Sequence, residues 1–158
     1  MSRAIVVGDG DNRWSAAAPA ELRHHVGAVG NIRTVEQSGA RLALLRNAVS
    51  RATDQSASAA AVALADICPD PLVFALESGL PRLRLLDRVI DGGSDWELIA
   101  ASIPSSLTAV SRISEIVGRT SSAGRRLIRT CYETEFRSTR GVLVGRARGF
   151  SLDVEGAE

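Results

Sequence analysis

The chain has 158 residues and no lysine: all 19 of its basic side chains are arginine. Every cation is therefore a planar fork suited to phosphate groups and guanine edges. Aromatic residues make up only 4% of the sequence, so a core has to be aliphatic, built from Leu, Ile, Val and Ala. Cys68 and Cys131 stand alone, without CxxC or Cys/His spacing, and are expected to be reduced, buried thiols. His24 and His25 are the sole histidines, and adjacent residues point in different directions, so no metal site is read from them. No run approaches the roughly 20 apolar residues of a membrane span. Met1 is not followed by a basic segment and an apolar run, so no signal peptide is read, and a cytoplasmic location is expected.

Catalytic patterns are missing too. Gly8-Asp9-Gly10-Asp11 follows a short apolar run, Ala4 to Val7, but Arg13 stands where a dinucleotide loop needs its third glycine. The serines lie in no Gly-x-Ser-x-Gly context and no Ser/His/Asp arrangement. The sequence thus reads as a protein that is not an enzyme, with no catalytic residue, no metal and no cofactor.

What is present points to helices. A hydrophobic fraction of 45% suffices for a compact core, alanine and leucine favour helix, and β-branched residues are scattered. The expected class is all-α. Net charge is +1 but unevenly spread: residues 1–79 hold 7 Arg against 8 acids, and residues 112–148 hold 9 Arg against 3 acids.

Four regions follow. Residues 1–34 read as a flexible or partly ordered arm. Residues 35–79 read as helices for dimerisation or partner contact, with Leu42, Leu45 and Val49 at helical spacing and a second helix from Ala57 to Ile67. Cys68-Pro69-Asp70-Pro71 ends that helix, and Leu72 to Glu77 is a short one. Residues 80–140 carry the pattern of most interest. A helix from Pro81 bears Leu83, Leu86, Val89 and Ile90 and stops at Gly92-Gly93. Ser94-Asp95-Trp96-Glu97 has the form of a capping box for a helix to about Ser102. Ile103-Pro104 turns the chain, Ser105 or Ser106 caps a third helix through Val117, and Thr120 to Arg137 forms a fourth. Residues 141–158 read as a β-hairpin with a basic tip or a tail.

The strings Leu80-Pro-Arg-Leu-Arg-Leu-Leu, Asp95-Trp-Glu-Leu-Ile-Ala-Ala-Ser-Ile-Pro and Leu107-Thr-Ala-Val-Ser-Arg-Ile resemble helix-turn-helix modules. The likeness is to the C-terminal region of bacterial sigma factors, response-regulator-type activators and Myb-like modules, over residues 80–118. Pro104 and Ser105 depart from the usual turn. The resemblance implies a motif core of Trp96, Ile99, Ala100, Ile103, Leu107, Val110 and Ile113. It implies base reading by Ser106, Thr108, Ser111 and Arg112, and phosphate contacts by Ser105, Arg119, Arg125, Arg126 and Arg129. The function so implied is a sequence-specific regulator of bacterial transcription. Its partners would be double-stranded DNA, RNA polymerase or another regulator, and a second copy of itself. The alternatives are a phage-type DNA-packaging or recruitment subunit and a protein–protein adaptor without DNA binding.

Overall fold

The computed structural model describes residues 16–17, 20–37 and 59–156. The helix read around Leu42, Leu45 and Val49 lies outside them. In chain order come β1 (Ala16–Ala17), a 3-10 turn (Ala20–His25), β2 (Arg33–Glu36), α1 (Ala59–Ile67) and α2 (Pro71–Glu77). Four long strands follow: β3 (Arg88–Leu98), β4 (Ser106–Thr120), β5 (Arg126–Ser138) and β6 (Leu143–Val154). All pairings are antiparallel, in the order β1-β4-β5-β6-β3, with β2 also pairing β4.

The all-α expectation is therefore wrong, and with it the helix-turn-helix. Pro81 to Asp87 is not helical, and the capping-box residues Ser94 to Glu97 sit inside β3. The third and fourth expected helices are the strands β4 and β5. The expected C-terminal hairpin is one continuous strand, β6, with Gly145 to Gly149 in its middle.

Periodicity explains the misreading. Leu107, Val110 and Ile113 have helical spacing, yet up to the bulge the residues buried along β4 are Leu107, Ala109, Ser111 and Ile113, every second one. Thr108, Val110, Ile113, Ile116, Val117 and Thr120 give this stretch the β-branched density of a strand.

One face of the sheet, here the inner face, packs on the two helices. Leu64, Cys68 and Phe74 meet Leu107, Ala109, Phe136, Val144 and Ala147 in one apolar cluster. Leu72, Ala75, Leu80 and Leu83 meet Ile113, Ile116, Ile128 and Tyr132 in a second. Asp70 caps α2 by accepting from the Val73 N–H, and Pro71 stands in its first turn. Both cysteines are free and buried, and burial pushes the Cys68 thiol up to about 12.

The helix comes unusually close to β6. The inner side of that strand reads Gly145, Ala147, Gly149, Ser151, Asp153. A Cβ at Gly149 would stand 2.2 Å from the Leu72 nitrogen and 2.5 Å from its Cα. Small residues there are what allow backbone to approach backbone.

Two bulges sit at the same level of the sheet. In β4 the register shifts between Ile113 and Glu115, and in β3 between Asp91 and Ser94, where Gly93 has φ +97°. Both fall between the row containing Tyr132 and Gly149 and the row containing Thr130 and Ser151. Bulges bend a strand and add twist, so the sheet creases along this line.

The close approach makes a testable demand. Gly149→Ala should cost at least the upper part of the roughly 1–3 kcal/mol typical of overpacking, because the obstacle is main chain. Urea unfolding with a midpoint equal to that of the natural sequence would mean that α2 does not seat on β6 in this way.

Candidate functional site

Of the residues expected to read DNA, Ser106, Thr108 and Arg112 lie on the outer face of β4 and Ser111 on the inner one. Ser111 is 1% exposed and hydrogen-bonds Thr134 inside the sheet, 2.8 Å away. Ser106 begins β4 opposite Glu36, and Thr108 lies between Thr34 and Arg137. The Ser105 carbonyl accepts from the Gln37 N–H. Of the expected motif core, Leu107 and Ile113 are buried, Ala100 and Ile103 are half-buried against the first apolar cluster, and Val110 is on the outer face. Ile99 is exposed, and half-exposed Trp96 donates its indole N–H to the Cys68 carbonyl.

Three of the arginines expected at DNA are held in ion pairs. Arg112, expected to reach a base, is paired with Glu133 and Glu135. Arg126 pairs with Glu155, and Arg129 with Glu115 while lying over the Phe150 ring. Arg119 is half-buried. Arg125 is exposed in the β4–β5 turn, where its N–H bonds Ser121. The helices of the expected module are the strands β3, β4 and β5, so the helix-turn-helix DNA-binding regulator is withdrawn.

What the structure builds instead is a lattice of ion pairs on the outer face. Cross-strand neighbours share a face, and register places Arg112, Glu133, Arg148 and Asp95 in one row. The next row is Val110, Glu135, Arg146 and Glu97. Arg148 bonds Glu133, Asp95 and Glu97; Arg146 bonds Glu97 and Glu135; Arg137 bonds Glu135. Charge thus alternates from strand to strand, with four arginines facing four carboxylates. Burial pushes the Glu133 carboxyl up, but hydrogen bonds from Arg112 and Arg148 outweigh it and hold it below the usual range. The Arg137 hydrogen bond does the same for Glu135.

Across the crease the outer rows mix apolar side chains with arginine and hold no acid: Val117, Arg129, Leu152 and Ile90, then Arg119, Leu127, Val154 and Arg88. Ile90 is 49% exposed.

A cavity of about 310 Å³ lies between β2 and the helices, lined by Arg33, Val35, Asp66, Asp70, Phe74 and Glu77 among others. Arg33 fills its cation seat, 4.3 Å over the Phe74 ring and bonded to the Phe74 carbonyl and Glu77. Among the described residues no group of His, Cys, Asp and Glu could hold a metal ion, and no helix is long and apolar enough to cross a membrane.

The two edges of the sheet differ. Along β4 the outer edge is covered by β1, by β2 and by the Val29–Arg112 bridge. Along β3 no described strand pairs the outer side. The Ile99 N–H bonds the Val144 carbonyl, so by antiparallel alternation Leu98, Trp96 and Ser94 turn their backbone groups outward. The Glu155 N–H bonds Arg126 on β5, which turns Val154 toward β3 and leaves Val89 and Asp91 facing outward as well. Sequence reasoning missed this edge because it read Arg88 to Leu98 as a helix end and a cap. The alternation of Val89, Asp91 and then Asp95, Glu97 is interrupted by the two glycines.

No family model matches the sequence, and no curated protein matches it. Among solved structures, a MaoC-like dehydratase from Rhodospirillum rubrum is similar at 12% identity, with a TM-score of 0.37, covering 83% of this chain and 95% of that one. At that distance the likeness carries no conclusion about activity.

The lattice predicts a specific acid response. A carboxyl held below its usual range stabilises the fold above its unfolded-state pKa, and that contribution is lost as pH falls through the lowered value. Arg112→Ala should remove part of it, about 1 kcal/mol after discounting for the exposed guanidinium. In a double-mutant cycle with Glu133→Gln the coupling should decline as the pH falls through the lowered Glu133 value. Coupling that stays constant as Glu133 becomes protonated would show that the pair is not electrostatic.

Proposed function

We propose that this chain is an assembly module whose partner is a second copy, added strand to strand along β3. The observation that carries the reading is that β3 is the one long strand with an open side among the described residues. An unpaired edge is a template for another strand. Natural edges are blunted by charge and bulges, and β3 has both: Asp91, Asp95, Glu97 and the Gly92-Gly93 bulge. These features restrict the partner instead of forbidding one, because an incoming strand has to match the bulge and supply positive charge.

A second copy meets both demands in one antiparallel register. With Gly92 opposite Gly93, Arg88 faces Glu97 on the outer side and Val89 faces Trp96 on the inner side. Ile90 then faces Asp95, and Asp91 faces Ser94. Every pair joins side chains of the same face, which requires the one-residue shift of the bulge. Val89, Asp91, Ser94 and Trp96 are also the residues whose backbone groups point outward. Arg88 is exposed and makes no ion pair among the described residues, so it is available to the partner's Glu97. The interface is isologous, as expected of a two-fold dimer.

Sedimentation velocity across a concentration series should show a reversible dimer, with Trp96 emission shifting to shorter wavelength as the dimer forms. Arg88→Glu should weaken association at least several-fold by placing like charges opposite each other, and adding Glu97→Arg in the same chain should restore part of it. A monomer throughout the series, or an Arg88→Glu variant that associates normally, would overturn this register.

A further inference from the structure

The buried oxygens without a hydrogen-bond partner among the described residues include Thr130 Oγ1, Ser151 Oγ and Asp153 Oδ2. All three residues are 0% exposed. They form one patch, since Thr130 and Ser151 are direct cross-strand partners and Asp153 is the next residue of β6 on the same face. Apolar groups surround them: Ile116 lies beyond Thr130 on β4, with Ile128 and Tyr132 on either side along β5.

The patch is roofed by the extended strap of residues 80–87, which is bonded to the same face. Asp153 Oδ1 accepts from the Leu85 N–H at 2.8 Å and the Leu86 N–H at 3.4 Å. The Tyr132 hydroxyl accepts from the Leu83 N–H and donates to the Pro81 carbonyl. One half of the Asp153 carboxyl is therefore committed to the strap, and the other half is not.

Buried polar atoms in folded proteins are almost always satisfied, by protein or by ordered water. Three such atoms together supply the two to four polar partners that a bound water needs. The row also leads outward. Beyond Ser151 the next residue is exposed Asp91, beside the β3 bulge, so polar side chains run from the patch to the open edge.

We propose that Thr130, Ser151 and Asp153 form an internal binding site for a water molecule, which joins β5, β6 and the strap into one hydrogen-bonded unit. The water donates to one hydroxyl and exchanges a hydrogen bond with Asp153 Oδ2, and the second hydroxyl donates to it. Burial pushes the Asp153 carboxyl above its usual range, and a partner able both to donate and to accept serves either protonation state. This site does not depend on the dimer reading and stands if that fails.

The sign of a stability change tests it. Thr130→Val keeps the shape and deletes the hydroxyl. With a bound water, that strips a hydrogen bond, and the melting temperature should fall by about 2–4 °C. Ser151→Ala should behave alike, whereas Asp153→Asn, which keeps an oxygen for the strap and gains a donor for the water, should melt close to the natural sequence. Nuclear Overhauser contacts between Thr130 or Ser151 and a slowly exchanging water should be seen in the natural sequence and be lost in Thr130→Val. If the hydroxyls are dry, each deletion removes an unsatisfied group, so unchanged or raised melting temperatures for both variants would overturn the proposal. Absence of the water contacts would do so too.

Discussion

The seating of α2 on β6 is the constraint from which the other features follow. Gly149 gives the helix a place to land, and Gly145 and Ala147 keep the rest of that strand low. From Gly145 to Asp153 the inner side of the strand has no apolar bulk, and Val144 at its start is its one large contribution to the core. The burden passes to Phe136, Tyr132 and Leu107 on the neighbouring strands and to the helices themselves. It also explains why the large side chains after Val144 point outward: Arg146, Arg148, Phe150, Leu152 and Val154.

That inversion shapes the outer surface. Arg146 and Arg148 are the only cations between two strands of acids, Glu133 and Glu135 on one side and Asp95 and Glu97 on the other. Their geometry allows each to serve both. Individual pairs of this kind contribute little at an exposed surface, and a connected set contributes more than isolated ones. The lattice commits Arg112, Arg137, Arg146 and Arg148 to carboxylates, four of the nine arginines that the segment 112–148 holds against three acids.

Much of the local punctuation was legible in the sequence. The break at Cys68-Pro69-Asp70-Pro71, the short helix from Leu72 to Glu77 and the reduced cysteines follow from proline chemistry and composition. The class was not legible, for two physical reasons. In β4, Leu107, Val110 and Ile113 satisfy a helical period while Ala109 and Ser111, the true inward neighbours, carry no hydrophobic signal. In β6 the usual code is reversed, with glycine, alanine, serine and aspartate inside and Phe150 and Leu152 outside. The charge lattice was hidden as well, because its partners are far apart in sequence and only strand register brings Asp95 beside Arg148.

The aligned bulges act as a change of phase written into the sheet. Along β4 the inward residues are odd-numbered up to Ile113 and even-numbered from Ile116; along β3 the switch occurs at Gly92-Gly93. Deleting one of those glycines would not merely shorten a strand. It would remove the extra residue of the bulge and straighten β3 at the crease, while both halves kept the faces they hold now, Arg88 and Ile90 outward and Val89 and Asp91 inward. The count of residues between Asp91 and Ser94 therefore sets how sharply the sheet bends, and pairing with β6 sets which face each side chain takes.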